Sequence, residues 1–164
     1  MSTHHTPIRV DHVGIAVESV PEAEAVLTVL GAVKRHEEPS PDGTFTWGTY
    51  ELGAASRLEL VSPRAGGGEG FLTAFLDEHG PGLHHVTLEV ADLAAVVDSL
   101  ESAGIRVVDV TERDDWTEAF VSPQNPTGVL FQLMEYHEGY AARHGGREAA
   151  YVGGVPLEGL GGVE

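Results

Sequence analysis

Cysteine is absent from all 164 residues, which excludes disulfides, thiolate metal sites and a cysteine nucleophile. Lysine is almost absent as well: Lys34 stands alone, and the other eight basic residues are arginines. No apolar run approaches the roughly 18 residues that a membrane-spanning helix needs. The start, Met1-Ser2-Thr3-His4-His5, has no basic stretch leading into an apolar one, so no signal peptide is expected and the cytoplasm is the default location.

What is present is acid. Twenty-six acidic residues against nine basic ones give a formal charge of -17. Non-specific nucleic-acid binding needs Lys and Arg on phosphates, and anionic membranes attract basic segments, so neither partner is expected. An acidic, lysine-poor surface suits concentrated salt, where the Debye length falls to about 3 Å and self-repulsion is screened. A halophilic source is therefore expected. Apolar residues make up 41% of the chain, enough for a core and against global disorder. The length fits one well-packed domain.

The chain repeats itself. Asp11-His12-Val13-Gly14-Ile15-Ala16-Val17 and His84-His85-Val86-Thr87-Leu88-Glu89-Val90 both alternate apolar residues as short strands do. Each precedes a helical pattern, Pro21–Leu27 stopping near Gly31 and Leu93–Leu100 stopping at Gly104. Each repeat closes on a further strand, Ser56–Pro63 in the first and Gly128–Tyr136 in the second. His85 lies 73 residues after His12, and Gln132 lies 73 after Glu59, so one offset aligns both pairs. Two more strands fit within each repeat, Val33–Glu37 and Phe45–Tyr50, then Arg106–Val110 and Thr117–Val121. Pro39–Gly43 and Pro123–Pro126 supply turns. The expected class is α+β, with two tandem βαβββ modules. Module one covers about 8–63, a linker with a short apolar helix at Phe71–Leu76 covers 64–81, and module two covers about 82–136. The glycine-rich tail 137–164 receives no assigned structure.

Side chains alternate across a strand, so His12 shares a face with Gly14 and Ala16, and His85 shares one with Thr87 and Glu89. Those rows are small or polar, as expected beside a cavity and not beside a packed core. Glu59 and Gln132 occupy matching places on the closing strands. Charges and imidazoles on central strands are costly unless partnered, and one divalent cation partners all four. His12, Glu59, His85 and Gln132 are therefore the expected metal ligands. Imidazole with oxygen ligands suits zinc, iron, cobalt, nickel or manganese, with open positions for substrate. Taken singly, each residue has a structural reading, as a hydrogen-bonded histidine or a surface polar group. His84 points to the opposite face and is expected to be structural. His36, His79, His137 and His144 lie in polar contexts and are expected at the surface.

These residues carry a resemblance. Val10–Val17, Leu58–Pro63, Gly82-Leu83-His84-His85-Val86, and Ser122-Pro123 with Thr127–Leu130 resemble the vicinal oxygen chelate superfamily, which includes glyoxalases, bleomycin resistance proteins and dioxygenases. The likeness is greatest to its methylmalonyl-CoA epimerases. The resemblance implies that the two tandem βαβββ modules form an open, cup-shaped mixed sheet around a metal site. It further implies ligand roles for His12, Glu59, His85 and Gln132, and a reaction in which a proton leaves and rejoins the carbon alpha to a thioester through a metal-stabilised enolate. In those epimerases the last ligand is typically glutamate, where this chain has Gln132. The carboxylate stands instead at Glu59, which makes it the expected proton carrier. Glu51 and Glu89 are candidates for the second, because Thr46 and Trp47 fall where some members carry a carboxylate.

Other chemistries fit the same residues. A glyoxalase I-like lyase uses related metal–enediolate chemistry, and His12, His85 and Glu59 also form a facial-triad set for an Fe(II) dioxygenase. A non-catalytic ligand-binding protein is the third alternative, disfavoured by four ligand-type residues. The expected partner is a small molecule such as an acyl-CoA, with Arg9, Arg35, Arg57, Arg64 and Arg106 as candidates for its phosphates. A homodimer is expected from the resemblance.

Overall fold

A computed structural model describes residues 8–53, 56–137 and 140. The chain forms two compact units, one running from His12 to His84, the other combining the chain up to Asp11 with the chain from His85 onward. The division falls inside the opening strand of each repeat and not in the linker.

The His12–His84 unit contains the greater part of β1 (Ile8–Ala16), then α1 (Val20–Val29), β2 (Val33–Pro39), β3 (Phe45–Leu52), β4 (Ser56–Pro63) and α2 (Phe71–His79). Its strands are ordered β2-β3-β4-β1. β1 runs parallel to β4, with Val13 opposite Leu58 and Gly14 opposite Glu59, while the other two pairings are antiparallel. Pro21 in the first turn of α1 presets the helical φ, and Gly31, at φ 88°, lets the chain leave it. The helix buries Val20 and Leu27 against Val17, Tyr50 and Leu60. That burial holds the Tyr50 phenol above its usual range. On another part of the sheet, Leu72 of α2 packs with Ala16 and Val61. The row His12-Gly14-Ala16 is thus closed by an apolar cluster at its Ala16 end, where the sequence pattern predicts none.

The second unit takes the start of β1 up to Asp11 and most of β5 (Gly82–Val90), followed by α3 (Leu93–Ser102), β6 (Val107–Glu112), β7 (Trp116–Val121) and β8 (Phe131–Tyr136). The order is β1-β5-β8-β7-β6. β5 and β8 are parallel, with Thr87 opposite Gln132, and β7 pairs antiparallel with both β8 and β6. α3 begins under two carboxylates: Asp92 accepts from the Ala95 amide at 2.9 Å, and Glu135 from the Leu93 amide at 2.7 Å. Both oppose the positive end of the helix dipole. Val90, Leu93, Val96, Ala119, Val121 and Leu133 form the core.

The repeat survives as equal topology in the two units. β2 and β6 are the edges, so the mixed sheet of eight strands is open. The second unit departs from expectation in β8, which begins at Phe131 and not at Gly128. Gly128 has φ 70°, and the Asn125 side chain donates to the carbonyls of Ser122 at 2.7 Å and Val129 at 2.8 Å, which holds that stretch as a loop. Apart from His137 and Tyr140, the tail 137–164, His144 included, lies outside the described residues. Among the described residues no helix is long and apolar enough to cross a membrane.

Candidate metal centre

In the His12–His84 unit, β1 presents His12 and β4 presents Glu59 on one face, both nearly buried. His12 Nε2 lies 3.6 Å from Glu59 Oε1. That is long for an N–H···O hydrogen bond. Two ligand atoms about 2.1 Å from one tetrahedral ion sit about 3.4 Å apart, so the pair has the spacing of two groups sharing a cation. Burying a carboxylate so completely costs several kcal/mol unless an opposite charge answers it, and a cation does so.

The neighbours of Glu59 on the same face follow from register. Thr49 stands opposite Glu59, His36 opposite Thr49, and Trp47 opposite Val61. His36 is half-buried with its ring edge-on to Trp47 at 4.3 Å, so it is not the surface histidine expected. Its β2–β3 pairing turns it onto the sheet face. His84 packs against Phe71 and Phe75 of the linker helix, as suits a structural residue. His79 is exposed, as expected. Glu51, a candidate proton carrier, is buried and accepts from Arg35 Nε at 2.9 Å.

In the second unit His85, Thr87 and Glu89 form a buried polar row on β5. Thr87 Oγ1 donates to Gln132 Oε1 at 2.8 Å, and Gln132 Nε2 donates to Glu118 Oε2 at 3.0 Å. Glu118, on β7, also accepts from Arg113 Nε at 3.3 Å. Glu89 is bound by Arg9, whose Nε donates to it at 2.7 Å. Asp11 takes Arg9 on one oxygen and the Tyr136 hydroxyl on the other, at 3.4 and 3.0 Å. His137 is half-buried, with Nε2 at 2.9 Å from Thr117 Oγ1, and so is tied to β7 and not free at the surface. Glu118 escapes a reading of the sequence, where alternation with Trp116 and Phe120 is the only signal for it. Of the arginines considered for phosphate contacts, Arg57 is buried and Arg9 is committed to carboxylates, while Arg64 and Arg106 are exposed.

Among the described residues, His12 and Glu59 in one unit and His85 in the other are the His, Asp and Glu side chains that could serve as metal ligands. Gln132 occupies in its unit the place that Glu59 occupies in the other.

A profile described as the Glyoxalase/Bleomycin resistance protein/Dioxygenase superfamily matches residues 11–120. The chain belongs to this superfamily. Its relatives include an uncharacterized protein of Bacillus subtilis, YqjC, 30% identical over 131 residues that cover 77% of this chain and 91% of the relative. The ethylmalonyl-CoA/methylmalonyl-CoA epimerase of Cereibacter sphaeroides is 33% identical over 134 residues, 77% of this chain and 97% of that protein. Among solved structures, methylmalonyl-CoA epimerase from Mycobacterium tuberculosis aligns with TM-score 0.73 and 30% identity, over 87% of this chain and 96% of that one. Within the glyoxalase superfamily, the sequence and structural neighbours of this chain thus include methylmalonyl-CoA epimerases.

Proposed function

We propose that this superfamily member is a metal-dependent epimerase of the methylmalonyl-CoA type, acting on a small acyl-CoA thioester. The reading is carried by the buried His12–Glu59 pair at 3.6 Å, matched in the second unit by His85 and Gln132 on equivalent strands. The four side chains would hold one divalent cation, with cobalt, manganese, nickel, zinc and iron all compatible with the donor set. A divalent cation supplies Lewis-acid stabilisation for the charge that develops as the alpha proton leaves.

Glu59 carries the proton in this reading, since a carboxylate accepts and returns a proton and the amide of Gln132 cannot. Glu51 and Glu89, the other two candidates, each have Oε2 held by a guanidinium that stays protonated. We assign them to holding Arg35 and Arg9 in place. Arg64 and Arg106, both exposed, are the arginines free to reach a CoA phosphate. A cytoplasmic homodimer from a salt-adapted source completes the proposal, and sedimentation at high salt tests the assembly.

The deciding experiment follows the C2 proton of methylmalonyl-CoA by NMR in D2O, using metal-loaded protein, a chelated control and Glu59→Gln. Metal-dependent loss of the C2 signal, abolished by the substitution, is the expected result. No exchange above background with metal demonstrably bound would refute the substrate.

A further inference from the structure

Glu59 and Gln132 are repeat-equivalent, yet their neighbours differ in kind. Trp47 stands opposite Val61 on β3, and Glu118 stands opposite Met134 on β7. Since Met134 is the repeat mate of Val61, Glu118 occupies in the second unit the place that Trp47 occupies in the first. The acid has an indole beside it, and the amide has a carboxylate.

The chemistry of the two groups accounts for the difference. A carboxylate offers an oxygen whichever way it turns. An amide has one oxygen and one NH2, and only the oxygen can ligate a cation, so its orientation must be set. The NH2 of Gln132 faces the Glu118 carboxylate and donates to its Oε2 at 3.0 Å. The oxygen then lies on the Thr87 side, where it accepts from the hydroxyl at 2.8 Å and retains a second lone pair. Thr87 is fully buried and the Glu118 side chain is 12% exposed, so competition from water is slight.

We propose that Glu118 is a positioning residue that holds the Gln132 amide with its oxygen available to a divalent cation. The proposal rests on the metal-binding reading above. Outer partners of metal ligands set ligand orientation, and losing one typically weakens metal binding about 10–100-fold.

The test uses full-length protein and Co(II) alone, with binding read from the visible absorption of the bound ion. E118L should raise the Co(II) dissociation constant about 10–100-fold, whereas E118Q, which keeps an acceptor oxygen, should stay within about threefold of the parent. R113Q, which removes only the other partner of Glu118, should leave Co(II) affinity unchanged. E118L binding Co(II) as tightly as the parent would overturn the proposal, as would equal losses in E118L and E118Q. The Gln132 side-chain NH2 resonances in chelated protein give a reading that needs neither metal nor a folded variant. A downfield, slowly exchanging N–H in the parent supports the orientation, and a solvent-like pair overturns it. If the parent takes up no Co(II), the metal reading falls by itself, and these resonances still decide whether Glu118 orients the amide.

Discussion

Replacing Gln132 by glutamate would make the closing strand of the second unit match the usual epimerase ligand, and here it should be destructive. Gln132 Nε2 sits 3.0 Å from Glu118 Oε2. Putting an anionic oxygen in that place turns a hydrogen bond into a repulsion. At an effective dielectric of about 20, two unit charges at that separation repel by about 5.5 kcal/mol, falling to about 3 kcal/mol if rotation opens the pair to about 5 Å. Q132E should therefore lose about 3–5 kcal/mol of stability at pH 8, a large part of the roughly 5–15 kcal/mol a domain has. The double variant E118Q/Q132E restores one donor and one acceptor with their strands exchanged, and should regain most of the loss. Urea denaturation of the parent, both single variants and the double variant, all with chelator, gives the coupling energy directly. A Q132E variant destabilised by less than about 1 kcal/mol, or a double variant no better than Q132E, would refute the contact as the source of the effect.

Leu133 is 2% exposed in the core of the second unit, so Leu133→Ala should cost about 2–5 kcal/mol in the same assay. In the β2–β3 turn, the Ser40 hydroxyl, then the Thr44 amide and hydroxyl, donate to Asp42 and hold its carboxyl down at about 2. A folded value below the unfolded one of about 3.9 gives stability that is present above that pH and lost as pH falls through the folded value. The stability gap between the parent and Asp42→Ala should therefore narrow from pH 5 to about pH 2 in urea titrations. Chelation should lower the melting temperature, and Co(II) at about 100 times its dissociation constant should return about 2.7 kcal/mol. With a formal charge of -17, the melting temperature should also rise steeply from roughly 0.1 M to roughly 2 M KCl, and a flat response would remove the case for salt adaptation.

The repeat is legible in the chain because each module writes the same alternation and the same helix punctuation. Pro21, Gly31 and Gly104 mark helix limits whose φ requirements are local, and α1, α3 and β4 lie where that punctuation puts them. The offset of 73 that aligns His12 with His85 and Glu59 with Gln132 is likewise a property of the chain alone. β8 starts three residues later than its composition suggests, because Gly128-Val129-Leu130 is strand-like in residue type while Asn125 reaches back to hold it as a loop.

Glu118 is not legible, for a physical reason. The chain from Glu118 to its partner Met134 is two residues longer than the chain from Trp47 to its partner Val61, so the residue matching Trp47 across the sheet lies 71 positions on, not 73. A linear comparison therefore sets Glu118 against Phe45. Only the antiparallel register sets it against Trp47.

By itself the sequence determined the α+β class and the duplication, which follow from periodicity and turn chemistry along the chain, and its motifs carried the resemblance to the superfamily and the four residues of ligand type. Only the tertiary structure decided which carboxylates are held by arginine, that Asp11 and His12 fall in different units, and which way the Gln132 amide faces. Those facts depend on pairings between strands far apart in the chain, where a shift of one residue turns a side chain to the other face.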